Sequence, residues 1–210
     1  MDGKLPVARE GWPFIVLPGV MAVALALIGR RGLALPFAAA SLASLGFFRD
    51  PEREIPAVAN GALSPADGTV TSVDEAVDPF VGAAVRVSIF LSPLDVHVNR
   101  APISGLVVDT AYVRGRFVAA YQPEAGEVNE RCTIRFQGET ARVTVVQIAG
   151  VVARRIVCRV TAGQKVGAGE RIGMIRFGSR TDCVMPRAAR LCVQAGDRVV
   201  GGVTVLGVLS

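Results

Sequence analysis

Residues 162–173 read AGQKVGAGERIG, and residues 195–206 read AGDRVVGGVTVL. Both stretches follow the pattern A-G-x-x-V-x-x-G, and each leads into an apolar run typical of a strand. Glycines supply turn geometry that other residues resist, while the valine packs into a core between two strands. The two copies predict two similar β units that pack against each other.

The same turn pattern resembles that of lipoyl and biotinyl carrier domains and of barrel-sandwich hybrids. From residue 61 onward, short runs rich in Val and Ile alternate with Gly, Pro and Asp, and none has a long helical period. These runs are TVTSV, AVRVSIFL, TIRFQ, ARVTVVQIAG, RRIVCRV, RIGMIRF, RLCVQ and TVLGVL. We therefore predict a mainly β domain over residues 51–210, similar to a barrel-sandwich hybrid with two lipoyl-like half units.

The N-terminal region, residues 1–50, has a different character. Two uncharged runs, 11–29 and 32–48, are separated by Arg30 and Arg31. Each approaches the roughly 20 apolar residues that cross a bilayer. A cleaved signal peptide would have one shorter apolar core, and a buried hairpin of a soluble protein would lack a polar outer face. We predict an apolar helical region that associates with a membrane, and three prolines leave open whether it spans the bilayer or lies in the interface.

Charge and composition narrow the class of partner. The net charge is +5, and the arginines that flank the apolar runs favour the anionic, cytoplasmic face of a membrane. With one tryptophan, two tyrosines and no basic stripe, nucleic-acid binding is not expected. The four cysteines form no CxxC pair and His97 is the only histidine, so we expect neither a metal site nor a disulfide framework.

Three segments carry candidate chemistry: LSPADGTV at 63–70, FLSPLDVHVNRAP at 90–102 and RFGSRTD at 176–182. The chain also contains FFRDP at 47–51, NER at 129–131, IAGVVARRI at 148–156 and GMIRFGSR at 173–180. In this order, the motifs resemble the phosphatidylserine decarboxylase family in its short bacterial and archaeal form. The resemblance covers nearly the whole chain.

The resemblance implies a precursor that cuts itself between Gly178 and Ser179. The serine hydroxyl attacks the preceding carbonyl, the amide becomes an ester, and elimination breaks the chain. Loss of ammonia then leaves a pyruvoyl group at position 179, so that a β chain, 1–178, is followed by an α chain, 179–210. A glycine before the serine permits close approach, and the serine needs a base. Without the resemblance, Gly-Ser after a strand is an ordinary turn.

The histidine segment departs from one form of the family. Longer members read D-Y-H-x-x-H-x-P, whereas here His97 matches the first histidine and Arg100 stands at the second. The resemblance implies that His97 serves decarboxylation, and it leaves the base for self-cleavage open. We predict that Asp67 orients the imidazole, as a carboxylate does in serine hydrolases. The alternative for Asp67 is a turn aspartate before Gly68.

The resemblance further implies the conversion of phosphatidylserine to phosphatidylethanolamine and carbon dioxide. The pyruvoyl carbonyl would form a Schiff base with the lipid amine and act as the electron sink. Arg100 and Arg180 are candidate contacts for the lipid phosphate, with solvated surface charges as the alternative. The expected partners are the phospholipid, the cell membrane at its cytoplasmic face, and the two chains of one precursor. Ester or ether lipid, and pairing into a homodimer, stay open.

Two other classes of protein share some of these features. A membrane-anchored barrel-sandwich adaptor usually carries a coiled-coil hairpin between its half-motifs, but no heptad run lies between Gly173 and Ala195. A lipoate or biotin carrier needs a lysine at a hairpin tip flanked by Asp or Met, and Lys165 lacks those neighbours. Nor would the adaptor need Gly178, Ser179 or His97.

Overall fold

The architecture comes from a computed structural model that describes residues 6–119, 122, 124–151, 155–176 and 179–210. The chain divides into two compact units, Met1–Glu52 and Arg53–Ser210. The first unit is helical and the second consists mainly of β-strands, so the predicted fold class is confirmed.

The helical unit is a pair of apolar helices, α1 (Trp12–Leu27) and α2 (Arg31–Phe47). Gly29 lies between them with a φ of +77°, a left-handed conformation that favours glycine. Each helix continues through one internal proline. The Ser41 hydroxyl of α2 donates a hydrogen bond of 2.8 Å to the Ile15 carbonyl oxygen of α1, which links the two helices.

The outward faces of both helices are apolar. A segment that includes α1, Arg9–Leu27, is long and apolar enough to cross a membrane, whereas Arg31–Phe47 is shorter. Large apolar side chains are exposed on both: Leu17, Val20, Val23, Leu27, Leu35 and Leu42. A helix that is apolar all round normally lies either in a protein core or in a membrane. The exposed apolar side chains fit the predicted association with a membrane, which stays a prediction.

The β unit consists of short antiparallel strands in three sheets. Its elements are β1 (Gly61–Leu63), β2 (Gly68–Asp78), β3 (Gly82–Leu91), β4 (Val98–Arg100), β5 (Gly105–Val113), α3 (Ala125–Val128), β6 (Arg131–Gln137), β7 (Arg142–Ile148), β8 (Ile156–Cys158), β9 (Lys165–Val166), β10 (Arg171–Ile175), β11 (Ser179–Pro186), β12 (Arg190–Leu191), β13 (Arg198–Val199) and β14 (Val205–Val208). The largest sheet has the order β13-β2-β3-β11-β7-β6-β5-β9, and the smaller ones are β1-β14-β12 and β4-β10-β8.

The core lies on the inner face of the large sheet. Buried and partly exposed residues alternate along β6, as expected for a strand with one face in the core. Ile134 and Phe136 of β6 are fully buried, together with Ile89 and Leu91 of β3. Burial of each such side chain contributes about 1.5–3 kcal/mol.

The two A-G-x-x-V turns occupy matching positions. Strand β9 of the first pairs with β5, and β13 of the second pairs with β2. Gly163 and Gly196 both have positive φ angles, +88° and +96°. Their N–H groups donate to the carbonyl oxygens of Val107 and Val70, each over 2.8 Å. The predicted pair of similar half units is therefore present.

Strand β11 was absent from the predicted runs, yet it lies near the middle of the large sheet between β3 and β7. It begins at Ser179, so this serine is the first residue of a buried strand and not part of the turn that Gly-Ser alone would indicate. Ser179 pairs with Leu91 of β3, and the pairing of β11 with β7 begins one residue later, at Arg180.

Candidate active site

Ser179 is fully buried at the start of β11, opposite Leu91 of β3. No described residue forms a hydrogen bond with its hydroxyl. A buried hydroxyl without a partner costs roughly 1–3 kcal/mol, so such a group calls for a functional explanation. Gly178, the other residue of the predicted cut, lies outside the described residues, and cleavage there stays a prediction.

His97 is fully buried directly before β4. Its Nδ1 donates to the backbone carbonyl oxygen of Asp95 over 2.9 Å, which makes Nε2 the acceptor nitrogen of the neutral ring. The N–H of Ile175 donates to the carbonyl oxygen of His97 at 3.3 Å. Because Ile175 ends the strand that leads towards Ser179, this bond ties the backbone of the histidine to the approach to the serine.

Asp95 lies beside His97 and was not among the predicted site residues. Its carboxylate accepts a 2.8 Å hydrogen bond from the Ser92 N–H and one of 2.6 Å from Arg198. Burial alone would raise the pKa of Asp95, but the hydrogen bonds from Arg198 and Ser92 outweigh burial and lower the pKa. The spacing D-x-H was the available signal, since it places this carbonyl beside the imidazole of His97.

The Asp67 carboxylate contacts Arg53 and the backbone of Gly201. One carboxylate oxygen accepts a 2.9 Å hydrogen bond from Arg53, and the other accepts one of 2.8 Å from the Gly201 N–H. In the matching half unit, the Ser104 hydroxyl accepts a 2.9 Å bond from the Ala168 N–H. Asp67 thus anchors a turn, and the Nδ1 contact that we predicted for it is made by the carbonyl of Asp95. A catalytic role of Asp67 stays a prediction.

The two arginines predicted to meet the lipid phosphate are both buried, so neither is a solvated surface charge. Arg100 donates from Nη1 to the Gly169 carbonyl oxygen over 2.9 Å. Arg180 donates twice to Asp182, from Nε over 2.6 Å and from Nη2 over 2.7 Å. Contact of either arginine with a phosphate stays a prediction.

Alternation along β11 directs its side chains to opposite faces of the sheet. Thr181 lies on the same face as Ser179, whereas Arg180 and Asp182 lie on the other. On that other face, Asp182 lines a cavity of about 570 Å³. The cavity is also lined by charged side chains: Asp78, Arg86, Glu124, Glu127 and Arg131.

A buried polar network occupies the face of the sheet that carries Ser179. Asn99 donates to the Thr181 hydroxyl over 3.2 Å and to the Pro65 carbonyl oxygen over 3.3 Å. Gln147, opposite Thr181 on β7, donates to the Asn99 side-chain oxygen over 2.7 Å. The network joins β4, β7 and β11, and no sequence pattern pointed to it.

Within the part of the chain that the structure describes, no group of three His, Cys, Asp or Glu side chains is placed to hold a metal ion. The four cysteines are free thiols.

Comparison with known proteins identifies the family. The family model for phosphatidylserine decarboxylase matches residues 42–207. The chain belongs to the phosphatidylserine decarboxylase family. A phosphatidylserine decarboxylase proenzyme of Burkholderia pseudomallei is 43% identical over 205 residues, which cover 97% of this chain and 95% of the relative. Similar proenzymes of Burkholderia lata and Burkholderia multivorans are 42% and 41% identical over 206 residues, or 97% of this chain and 96% of each relative. The resemblance stated from the motifs is confirmed.

Proposed function

We propose that this chain is the precursor of a self-cleaving phosphatidylserine decarboxylase that makes its pyruvoyl group from Ser179. Membership of the family supports the reaction, and the word proenzyme in the relatives' names supports maturation by cleavage. The observation that carries the proposal is the Ser179 hydroxyl, which is buried and has no hydrogen-bond partner among the described residues. A nucleophile without a structural bond suits a group that is consumed during maturation.

In the proposed maturation, Ser179 Oγ attacks the carbonyl carbon of Gly178 and gives up its proton to a base, which converts the amide into an ester. Elimination removes the Cα proton of residue 179 and breaks its Cβ–O bond, so that the β chain leaves with a carboxylate. Water then enters and ammonia leaves, and the α chain begins with the pyruvoyl group. Arg100 is not the base, because a guanidinium stays protonated in proteins. The base for self-cleavage is therefore His97 or another group.

The pyruvoyl group supplies a carbonyl that binds a primary amine and an electron sink when carbon dioxide departs. In the proposed reaction, His97 delivers a proton to the substrate α-carbon. Nε2 is the nitrogen that exchanges this proton, since the Nδ1 proton is held by the Asp95 carbonyl oxygen. A fixed tautomer keeps the same nitrogen available at every turnover.

We infer that the enzyme works at the cytoplasmic face of a membrane. The apolar outer faces of α1 and α2 support this placement, since the acyl chains of a phospholipid remain in the bilayer while the head group reacts. The net charge of +5 supports attraction to anionic lipid.

Intact-mass spectrometry of freshly purified protein tests the proposal. We expect two chains that meet at 178/179, with the small chain lighter by one ammonia than a peptide that begins with serine. Ser179→Ala should remain one uncut chain. Ser88→Ala is the matched control, because Ser88 is also buried and its hydroxyl also lacks a partner among the described residues. An uncut, folded wild-type chain, or a cut Ser179→Ala chain, would refute self-processing at this serine. Release of carbon dioxide from phosphatidylserine vesicles tests the reaction itself.

A further inference from the structure

Arg198 connects the C-terminal segment of the chain to the histidine. It lies on β13, in the second of the two A-G-x-x-V turns, directly opposite Thr69 of β2. Its Nη2 donates to Asp95 Oδ1 over 2.6 Å, and its Nη1 donates to the Thr69 hydroxyl over 3.1 Å. The guanidinium is therefore held at two points, one of them a buried carboxylate.

Asp95 links this contact to the imidazole. Its carboxylate closes a turn by accepting the Ser92 N–H, and the Asp95 N–H donates back to the Ser92 carbonyl oxygen at 2.9 Å. Its own carbonyl oxygen receives the Nδ1 proton of His97. The direction of this carbonyl depends on the turn, and the turn depends on the carboxylate that Arg198 holds.

We propose that Arg198 is a positioning residue that fixes the tautomer and orientation of His97 through Asp95. The proposal rests on the proposed function only for its effect on turnover. Arg198 lies after the predicted cut and Asp95 lies before it, so in the mature enzyme this contact crosses from the α chain to the β chain. The α chain then supplies both the pyruvoyl precursor and the group that orients the histidine.

Two alternative roles for Arg198 are a structural one in the core and direct binding of the lipid phosphate. Its side chain is 62% exposed, whereas that of Asp95 is 6% exposed, so truncation of the arginine removes little of the core. An exposed arginine could also serve by binding the lipid phosphate directly. Loss of a phosphate contact raises KM, whereas loss of a positioned proton donor lowers kcat at an unchanged KM.

The single histidine allows a direct measurement. With 15N-labelled imidazole and no histidine tag, the NMR spectrum contains the signals of one ring, and the shifts of its two nitrogens report the tautomer. We expect the Nδ1-protonated form in the wild type, a mixture of tautomers in Arg198→Met, and the wild-type form in Arg198→Lys. Arg187→Met is the matched control, because Arg187 forms an exposed ion pair of the same length, 2.6 Å, with Glu75.

On phosphatidylserine vesicles, we expect Arg198→Met to lower kcat about tenfold with KM unchanged, as for loss of an outer partner of an active-site histidine. A tautomer ratio in Arg198→Met equal to that in Arg187→Met would overturn the proposal. So would a raised KM with an unchanged kcat, which would instead indicate a contact with the lipid. Because the NMR measurement needs no turnover, it also decides the positioning role in a chain that proves to lack decarboxylase activity.

Discussion

Gly173→Ala should slow self-cleavage without preventing folding. A Cβ built on Gly173 would lie 2.4 Å from the Val157 carbonyl oxygen and 2.8 Å from Gln147 Nε2. Ordinary contact begins at 3.4 Å, so β8 and β10 must separate by about 1 Å. Overpacking of this kind costs about 1–3 kcal/mol, which a protein with roughly 5–15 kcal/mol of stability survives.

The same shift should reach the cleavage site, because β10 leads towards Ser179 and is bonded to the backbone of His97. A misplacement of 1 Å can cost about 100-fold in rate, so we expect self-cleavage to slow by up to that factor. The assay follows uncut chain with time on denaturing gels, beside a thermal melt. Gly207→Ala is the control, since its Cβ would lie 3.1 Å from the nearest backbone atom and it belongs to the sheet of β1 and β12. Cleavage of Gly173→Ala at the rate of Gly207→Ala would refute this reasoning.

Two further changes test the buried polar groups. Thr181→Val removes the acceptor of the Asn99 amide at nearly constant volume, so we expect a loss of about 1 kcal/mol in urea unfolding together with slower self-cleavage. Thr144→Val, which removes an equally buried hydroxyl bonded to Asp78, should affect stability alone, and equal cleavage rates in the two variants would exclude a special role for Thr181. The folded-state pKa of Asp95 lies below its ordinary value of 3.8, so its stabilisation is complete above that value and is lost as the pH falls through the folded pKa. Asp95→Asn should therefore lose less stability than the wild type between pH 5 and about pH 3, and parallel urea titrations across that range would contradict the assignment.

The sequence predicted those parts of the fold that depend on local pattern. The A-G-x-x-V turns and the Val-rich strands follow from glycine conformations and from alternation, which are properties of neighbouring residues. Strand β11 escaped prediction because its two buried faces contain Arg180, Thr181 and Asp182. Burial of these side chains depends on bonds to each other and to Asn99, far away in the chain. No local signal reports such partners.

The candidate site also contains residues that a local motif indicates and contacts that only the fold brings together. Ser179 and His97 could be predicted as site residues because each belongs to a motif of neighbouring residues in the sequence. The contact between Asp95 and Arg198 joins residues 103 positions apart and follows only from the pairing of β13 with β2. Arg100 and Arg180 were predicted to contact a phosphate because arginine suits that group, and this contact stays a prediction. The hydrogen bonds that the structure describes for them are to Gly169 and Asp182.

The proposed cut before Ser179 would change how the protein refolds. The segment 179–210 supplies β11 between β3 and β7, β13 against β2, and β14 between β1 and β12, so it is woven into two sheets. A cut at its first residue would leave every one of these ladders intact, and the fragment would dissociate only when the whole β unit unfolds. Unfolding would then yield two separate molecules from one. Refolding would become a second-order reaction, and the midpoint of the unfolding transition would depend on protein concentration. The uncut precursor would refold as a single molecule, whereas the two chains of the cut protein would have to associate before they could refold.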